Sequence, residues 1–180
     1  MILLQEHGEI TFGINRIYRL FDQTAWRSTY YDCEDELNSQ SQQMEINAVE
    51  AKARFIPIEL KWWHDVSVKD ACNFHLNYDE EKRYPFSFFT DIAHQLDCCG
   101  TVPFTCMQLA AYMGFSEIYL LGVDHNYQKT IDIYGNVMID SNARGYFCEG
   151  YDDDIKDAVV HDMGNKTRAY LDSKAYCDQH

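Results

Sequence analysis

A cluster of four polar residues directly follows an apolar run near the middle of the chain. The apolar run covers residues 118–123, and the residues after it are Asp124, His125, Asn126 and Tyr127. A run of this length and composition predicts a buried strand, and ligands bind at the carboxyl ends of strands in open α/β sheets. A carboxylate and an imidazole at such a place can also exchange protons with a substrate. The pattern predicts an α/β ligand-binding domain that is an enzyme.

A turn and a helix precede this strand and are expected to position its end. Gly100 and Thr101 form a glycine-marked turn, and residues 102–113 are rich in helix formers. Gly114 supplies the left-handed residue that ends many helices. Strands and helices alternate elsewhere, from a strand at 10–15 to a last helix over about 165–177, which predicts a mostly parallel sheet.

Length and composition predict one α/β domain over residues 1–180. The chain is 46% hydrophobic and 14% aromatic, which is enough apolar material for a single core. Aromatic and charged residues are mixed at 61–84 without a regular pattern, which suggests a lid or an insertion. The aromatic side chains there would either stack on a base or sugar or cover the edge of the sheet.

Charge and cysteine content exclude several classes of partner. The net charge is −14 with no basic stretch, which argues against nucleic acid and against docking on anionic lipid. No apolar run approaches the roughly 20 residues that span a bilayer, and the N-terminus is too short for a signal peptide. The seven cysteines are odd in number and lack C-x-x-C spacing, which disfavours a disulfide framework or a zinc site. A reducing cytoplasm is the predicted location.

Three segments together resemble a known family. They are FGINRIY from Phe12, TYYDCED from Thr29, and GTVPFTCMQLAAYMGFSEIYLLGVDHNY from Gly100. They are similar to the bacterial and archaeal MptE-like 6-hydroxymethylpterin diphosphokinase domains, whose bacterial members often lie among polysaccharide genes and are regarded as glycosyltransferases. The last segment is more distantly similar to bacterial sialyltransferases, which carry a Ser-Gly-Val-Tyr turn, a helix and an Ile-Tyr-Leu-Ser-Gly-Ile-Asp strand.

The resemblance implies a Rossmann-like fold with a mostly parallel sheet and helices on both faces. Members of the family open with a strand and a Gly-x-Gly-Pro-Ser loop that holds nucleotide phosphates, and this sequence has no such loop. We therefore expect a fold that lacks the first strand and the glycine-rich loop. An unpaired sheet edge would favour a partner chain, so a homo-oligomer is also expected.

The resemblance also implies roles for individual residues. Asn15 would hydrogen-bond the nucleotide, and Gly100 and Thr101 would lie against its phosphate or ribose. Asp124 would form the floor of the cleft, with Asn126 and Tyr127 beside it.

Two histidines compete for the role of general base on the acceptor hydroxyl. His161 occupies a place comparable to the histidine that precedes the last helix in the sialyltransferases. His125 lies nearer the predicted strand end and either acts as the base or orients the neighbouring carboxylate. An imidazole suits the role because it titrates near neutral pH.

Three functions follow as hypotheses. The first is a transferase that passes a sugar from a nucleotide to a hydroxyl of a surface glycan precursor. The second is transfer of diphosphate from ATP to a hydroxymethylpterin, which requires Mg²⁺; the carboxylates that could hold it are Asp32, Glu34, Asp35 and Asp124. The third is an inactive binding module, which the missing phosphate loop favours.

Overall fold

The computed structural model describes most of the chain. The described residues are 1–78, 88–89, 91–123, 125–132, 134–140, 142, 148, 151 and 161–180. Helices and strands are mixed along the described ranges, and the largest sheet is parallel. This confirms the α/β class with a mostly parallel sheet.

Four strands form the main sheet, and each lies beside the next one along the chain. They are β1 (Phe12–Ile14), β2 (Tyr30–Asp32), β3 (Ala53–Pro57) and β4 (Cys72–Phe74). All three pairings are parallel, so the carboxyl ends of the four strands meet at one edge of the sheet.

Two smaller sheets, one of two strands and one of three, lie outside the main sheet in the described ranges. They are the parallel pair β5 (Leu76–Asn77) and β6 (Leu96–Asp97), and the group β7 (Lys129–Ile131), β8 (Val137–Ile139) and β9 (His161–Asp162). Strands β7 and β8 are antiparallel, and β9 runs parallel to β7.

Six α-helices and one 3-10 helix occur in the described ranges. The α-helices are α1 (Ile2–Glu6), α2 (Glu36–Ser41), α3 (Gln43–Ala48), α4 (Ile58–His64), α5 (Val102–Tyr112) and α6 (Met163–Cys177). The 3-10 helix covers Ile17–Leu20. Helices α5 and α6 are the longest and pack against each other. Part of the predicted lid is regular, because residues 61–78 include the end of α4 and strands β4 and β5. Its role as a lid stays a prediction.

Both faces of the main sheet are covered, because neighbouring residues on a strand point to opposite faces. Tyr31 packs with Ile46 of α3 and other apolar side chains on one face. Tyr30 packs on the other face in the cluster that contains Phe55 and Leu109 of α5. The sheet therefore lies between α3 and α4 on one side and α5 on the other.

Strand β1 carries a glycine because the neighbouring loop lies too close for a side chain. A Cβ atom on Gly13 would lie 2.6 Å from Ser28 Oγ and 2.8 Å from Ile17 Cγ2. Both distances are shorter than van der Waals contact, so any larger residue would push the loop and the 3-10 helix away. The FGIN sequence thus lets β1 and the turn after it pack tightly.

The predicted strand over residues 118–123 is wrong. The backbone there pairs with none of the described strands, and Tyr119 and Leu121 are 83% and 70% exposed. A strand is stable only with a neighbour to which its N–H and C=O groups can bond. The apolar composition of the run predicted a buried strand, but composition alone does not supply that neighbour.

Candidate functional site

The carboxyl ends of β1 and β2 meet at Asn15. This residue directly follows β1, and its backbone N–H donates to the carbonyl of Asp32, the last residue of β2, at 3.0 Å. The hydroxyl of Tyr31 donates to the carbonyl of Asn15 at 2.6 Å. The φ angle of Asn15 is 47°, a left-handed conformation that asparagine tolerates better than most residues. The turn is therefore held from both strands.

The side chain of Asn15 offers a buried acceptor. Its Oδ1 atom is buried and accepts no hydrogen bond from the described residues. Buried polar atoms in native proteins normally have a partner, and leaving one without a partner costs about 1–3 kcal/mol. An N–H or O–H group of a ligand at this edge of the sheet would satisfy the atom.

A pair of buried carboxyl groups lies at the end of β2. Asp32 is completely buried and Glu34 is 9% exposed. Burial raises the pKa of Asp32 to about 7. Burial, and then the charge of Asp32, raise the pKa of Glu34 well above its ordinary range. The two carboxyl groups interact directly, and a proton on one of them relieves the repulsion between their charges. Glu34 is therefore the neutral member near pH 7.

The second turn of α5 packs against this pair. The thiol of Cys106 donates to Asp32 Oδ2 at 3.4 Å. The hydroxyl of Thr105 lies beside Glu34 and lowers its pKa, although burial outweighs this effect. Thr105 Oγ1, Asp32 Oδ1 and Glu34 Oε1 have no hydrogen-bond partner of normal geometry in the described part of the chain. Such a concentration of unsatisfied buried atoms is unusual away from ligand sites.

These carboxyl groups are also the donors that a divalent cation would use. No group of three or more His, Cys, Asp or Glu side chains within the described ranges is arranged around a common point. Mg²⁺ is often held by one or two carboxylates, with water and substrate phosphates completing its shell. Asp32 and Glu34 fit that pattern once the metal has displaced their shared proton.

The start of α5 is contacted by α6. Gly100 has a φ angle of 72°, and Thr101 is the N-cap residue of α5, although its side chain does not cap the helix. Instead, Thr101 Oγ1 lies 3.2 Å from the hydroxyl of Tyr170. The carbonyl of Gly100 accepts a hydrogen bond from the ammonium group of Lys166. Two residues of α6, one turn apart, therefore contact the predicted phosphate turn.

His125 and Tyr127 also lie against α6. His125 Nε2 is 2.8 Å from Thr167 Oγ1, and its ring meets that of Tyr170 edge-on at 5.6 Å. The ammonium of Lys166 lies 5.1 Å from the centre of the Tyr127 ring. His125 has a φ angle of 56°, so it shares with Asn15 a backbone conformation that is uncommon outside glycine.

Helix α5 connects the residues around the buried carboxyl pair with the residues at its own start that contact α6. Thr101 precedes its first turn, and Thr105 and Cys106 follow about one turn later, roughly 6–8 Å along the axis. We call this arrangement the polar seam. Its acidic end contains Asp32, Glu34, Thr105 and Cys106, with Asn15 beside them, and its basic end contains Gly100, Thr101, Tyr127, Lys166 and Tyr170.

Three predicted residues are not brought into the seam by described contacts. Asp124 lies outside the described residues. His161 belongs to β9, where its backbone pairs with Thr130, and its side chain is not described. Asn126 is exposed. The roles assigned to these residues stay predictions.

Sequence reasoning missed Lys166 and Tyr170. Ala169, Tyr170 and Ser173 lie on the buried or half-buried face of α6, and Lys166 is three and four residues before the first two. A lysine on the apolar side of an amphipathic helix is a signal that could have identified it.

An open hollow of about 520 Å³ lies elsewhere on α6. It is lined by Met163, Gly164, Thr167, Arg168, Leu171 and Asp172, all from that one helix. Thr167 is the partner of His125, but no other residue of the hollow contacts the seam in the hydrogen bonds described above. Side chains from several strands and helices meet at the polar seam, whereas a single helix lines the hollow. The polar seam is therefore the better candidate for a binding site.

The fold and the seam define the class of the protein. It is an α/β protein with a mostly parallel sheet, and the acidic end of its polar seam lies at the carboxyl ends of β1 and β2. The chain matches no known family model, no curated protein and no solved structure. Within the described residues, no helix has the length and apolar character needed to cross a membrane.

Proposed function

We propose that the protein is a Rossmann-like nucleotide-binding transferase that acts in the cytoplasm. It would pass a sugar from a nucleotide donor to a hydroxyl of a surface glycan precursor. The observation that carries this proposal is the buried, unsatisfied Asn15 Oδ1 at the joined ends of β1 and β2. Ligands bind at this edge of open α/β sheets, and Asn15 is the residue that the family resemblance assigns to the nucleotide.

The seam suggests how a nucleotide would lie. Asn15 accepts a hydrogen bond from the base or ribose. The Gly100–Thr101 turn and the N-terminus of α5 lie next to the phosphate, because the first N–H groups of a helix and its dipole favour an anion. Asp124 orients the ribose or the acceptor.

The chemical step is a substitution at the anomeric carbon of the sugar. The acceptor oxygen bonds to that carbon while the bond to the phosphate oxygen breaks. The nucleotide leaves with the electron pair, and a histidine takes the hydroxyl proton. We assign this role to His161, because Nε2 of the competing His125 is already engaged with Thr167.

The second candidate, ATP-dependent diphosphate transfer to a pterin, rests on the carboxyl pair. Asp32 Oδ1 and Glu34 Oε1 accept no hydrogen bond of normal geometry from the described residues, so both oxygens could bind Mg²⁺ once the proton of the pair has left. Their raised pKa values mean that a metal must compete with a proton near pH 7. Mg²⁺ would therefore bind more tightly as the pH rises.

A thermal-shift panel separates the candidates. The ligands are CMP-, UDP- and GDP-sugars, ATP and a hydroxymethylpterin, each with and without Mg²⁺. A ligand whose free concentration is about a hundred times its Kd stabilises the folded protein by about 2.7 kcal/mol. This corresponds to a rise in Tm of roughly 5–10 °C. Stabilisation by a nucleotide sugar supports the transferase, and stabilisation only by ATP with Mg²⁺ supports the diphosphokinase. No response to any nucleotide contradicts both and leaves the inactive binding module.

Single substitutions test the base once a donor is known. His161→Ala should abolish turnover and leave nucleotide affinity unchanged. The exposed His7 provides the control, because His7→Ala should change neither quantity. Survival of turnover in His161→Ala together with its loss in His125→Ala would transfer the role to His125.

A further inference from the structure

Lys166 is a buried cation in the middle of α6. The residue is 7% exposed, and its side chain forms no ion pair with a carboxylate of the described residues. Its ammonium donates to the carbonyl of Gly100 and lies over the ring of Tyr127 at 5.1 Å. Burying a charge is costly unless an opposite charge compensates for it. The fold therefore tolerates an unfavourable group at this position.

The acidic side chains nearest to Lys166 are committed elsewhere. Burial has the largest effect and lowers the pKa of Lys166. The carboxylates that raise this pKa, Asp162 and Asp35, act less strongly than the thiols of Cys99 and Cys98. Asp162 caps α6 by accepting from the backbone N–H of Asn165 at 3.0 Å. Asp35 caps α2 by accepting from the N–H of Asn38 at 2.6 Å. The groups facing Lys166 from α5 and its preceding turn are the carbonyl of Gly100 and the thiols of Cys98 and Cys99.

The surroundings of the ammonium are suited to an anion. An ammonium has three donors, and the structure gives one of them to Gly100. The adjacent N-terminus of α5 is positive as well, and the side chain of Thr101 does not cap it. Thr101 and Tyr170 add two hydroxyl groups within 3.2 Å of each other. Two independent positive groups and two hydroxyls thus lie at one place.

We propose that Lys166 binds a phosphate group of the nucleotide at the start of α5. This proposal rests on the proposed function and names the side chain that holds the phosphate. The bound anion becomes the counter-ion that the described residues do not provide. A lysine in this position holds the phosphate by its charge, whereas a glycine-rich loop holds a phosphate with backbone N–H groups.

The test compares Lys166→Met with the wild-type protein in phosphate-free buffer. Methionine has a similar length and no charge, so we expect the ligand-free variant to melt about 2 °C or more above wild type. Calorimetric titration with inorganic pyrophosphate should show affinity reduced about tenfold or more, the usual scale for a lost charge-assisted hydrogen bond. Lys174→Met is the matched control, because Lys174 is exposed on the same helix and pairs only with Asp178 in the described contacts. It should leave pyrophosphate affinity unchanged.

The outcomes separate this proposal from the proposed function. An affinity of Lys166→Met within tenfold of wild type overturns the role of Lys166, even if nucleotide sugars still bind. A lower Tm of the variant also overturns it, because the ammonium is then already compensated within the fold, by its contacts with Gly100 and Tyr127 or by a carboxylate of the chain. Pyrophosphate binding that depends on Lys166, without binding of any nucleotide sugar, supports Lys166 and contradicts the transferase. If Lys166→Met does not fold, Lys166→Gln provides the same affinity comparison.

Discussion

The two ends of the polar seam hold buried ionisable groups in different ways. At the acidic end, two carboxyl groups lie together, and one proton between them removes one of their two negative charges. At the basic end, Lys166 has a carbonyl and an aromatic ring as neighbours, and neither carries a compensating negative charge. The charge at the acidic end is thus partly neutralised within the fold, and the charge at the basic end is left for a ligand to neutralise.

This difference gives an orientation to the proposed ligand. A nucleotide has an uncharged base and sugar at one end and an anionic phosphate at the other. The acidic end, with its neutral carboxyl group and the Asn15 acceptor, suits hydrogen bonding to the uncharged part. The basic end suits the phosphate. The comparison therefore predicts that the ligand lies along the first turns of α5.

The largest expected effect comes from Asp32→Asn at the acidic end, which should reduce the loss of folding stability that occurs there as the pH rises. The folded-state pKa of Asp32 is about 7 against an ordinary value of 3.8, so the folded state holds a proton that the unfolded state releases. Stability therefore falls as the pH rises from about 4 to about 7, by at most roughly 4 kcal/mol from this residue. Glu34 adds a fall of its own, so in urea unfolding measured across that range Asp32→Asn should remove the share that comes from Asp32 and leave the share from Glu34.

The exposed Asp22 serves as the control for this substitution, because Asp22→Asn should leave the pH profile of the unfolding free energy unchanged. An undiminished fall in Asp32→Asn would show that Asp32 is not the group that retains the proton.

The basic end should show the opposite slope at alkaline pH. Burial lowers the pKa of Lys166 below its ordinary value of 10.5. Between the lowered value and 10.5 the unfolded state binds more protons, so this residue makes stability rise with pH. The difference in unfolding free energy between wild type and Lys166→Met should therefore shrink as the pH rises toward 10.5. A difference that does not change with pH would place the ammonium in a solvated or paired environment.

A smaller effect is expected at Thr105, within the acidic end of the polar seam. Thr105 is fully buried and its hydroxyl completes no hydrogen bond with the described residues. Thr105→Val replaces that hydroxyl by a methyl group of similar size and should stabilise the ligand-free protein by about 0.5–1 kcal/mol. Chemical denaturation measures this change. Destabilisation by 1 kcal/mol or more would mean that the hydroxyl is bonded to Glu34 in solution.

The smallest effect is expected outside the seam, in the exposed apolar run after α5. Leu121 is 70% exposed, so Leu121→Ser should change the free energy of unfolding by less than about 0.5 kcal/mol. The same denaturation experiment measures it. A loss above 2 kcal/mol would indicate a buried leucine and restore the strand that the sequence predicted there.

Local patterns were sufficient to predict several elements of the fold. Helix formers ahead of Gly114 predicted α5, and the structure places it at Val102–Tyr112. The predicted parallel α/β arrangement agrees with the order of β1 to β4. These elements follow from periodicity and from turn residues, which are properties of short segments.

Properties that depend on packing between distant segments were not predicted. Residues 118–123 have the composition of a strand but no described neighbour to pair with. The burial of Asp32 and Glu34 depends on α5, more than 60 positions later in the chain. Cys106 of that helix contacts Asp32 across 74 positions. Lys166 meets Gly100 across 66 positions. Of the predicted site, Asn15, Gly100, Thr101, His125 and Tyr127 now have described contacts, and Asp124 and the His161 side chain do not.

The most direct test of the nucleotide site is an NMR titration of ¹⁵N-labelled protein in which the backbone amide chemical shifts are measured. The ligand is the nucleotide that stabilises the protein best in the thermal-shift panel. The account predicts saturable shifts that are largest at Asn15, Gly100, Thr101 and Lys166, along the polar seam. No saturable shift with any nucleotide, or shifts confined to Met163, Arg168 and Leu171 at the hollow on α6, would contradict it.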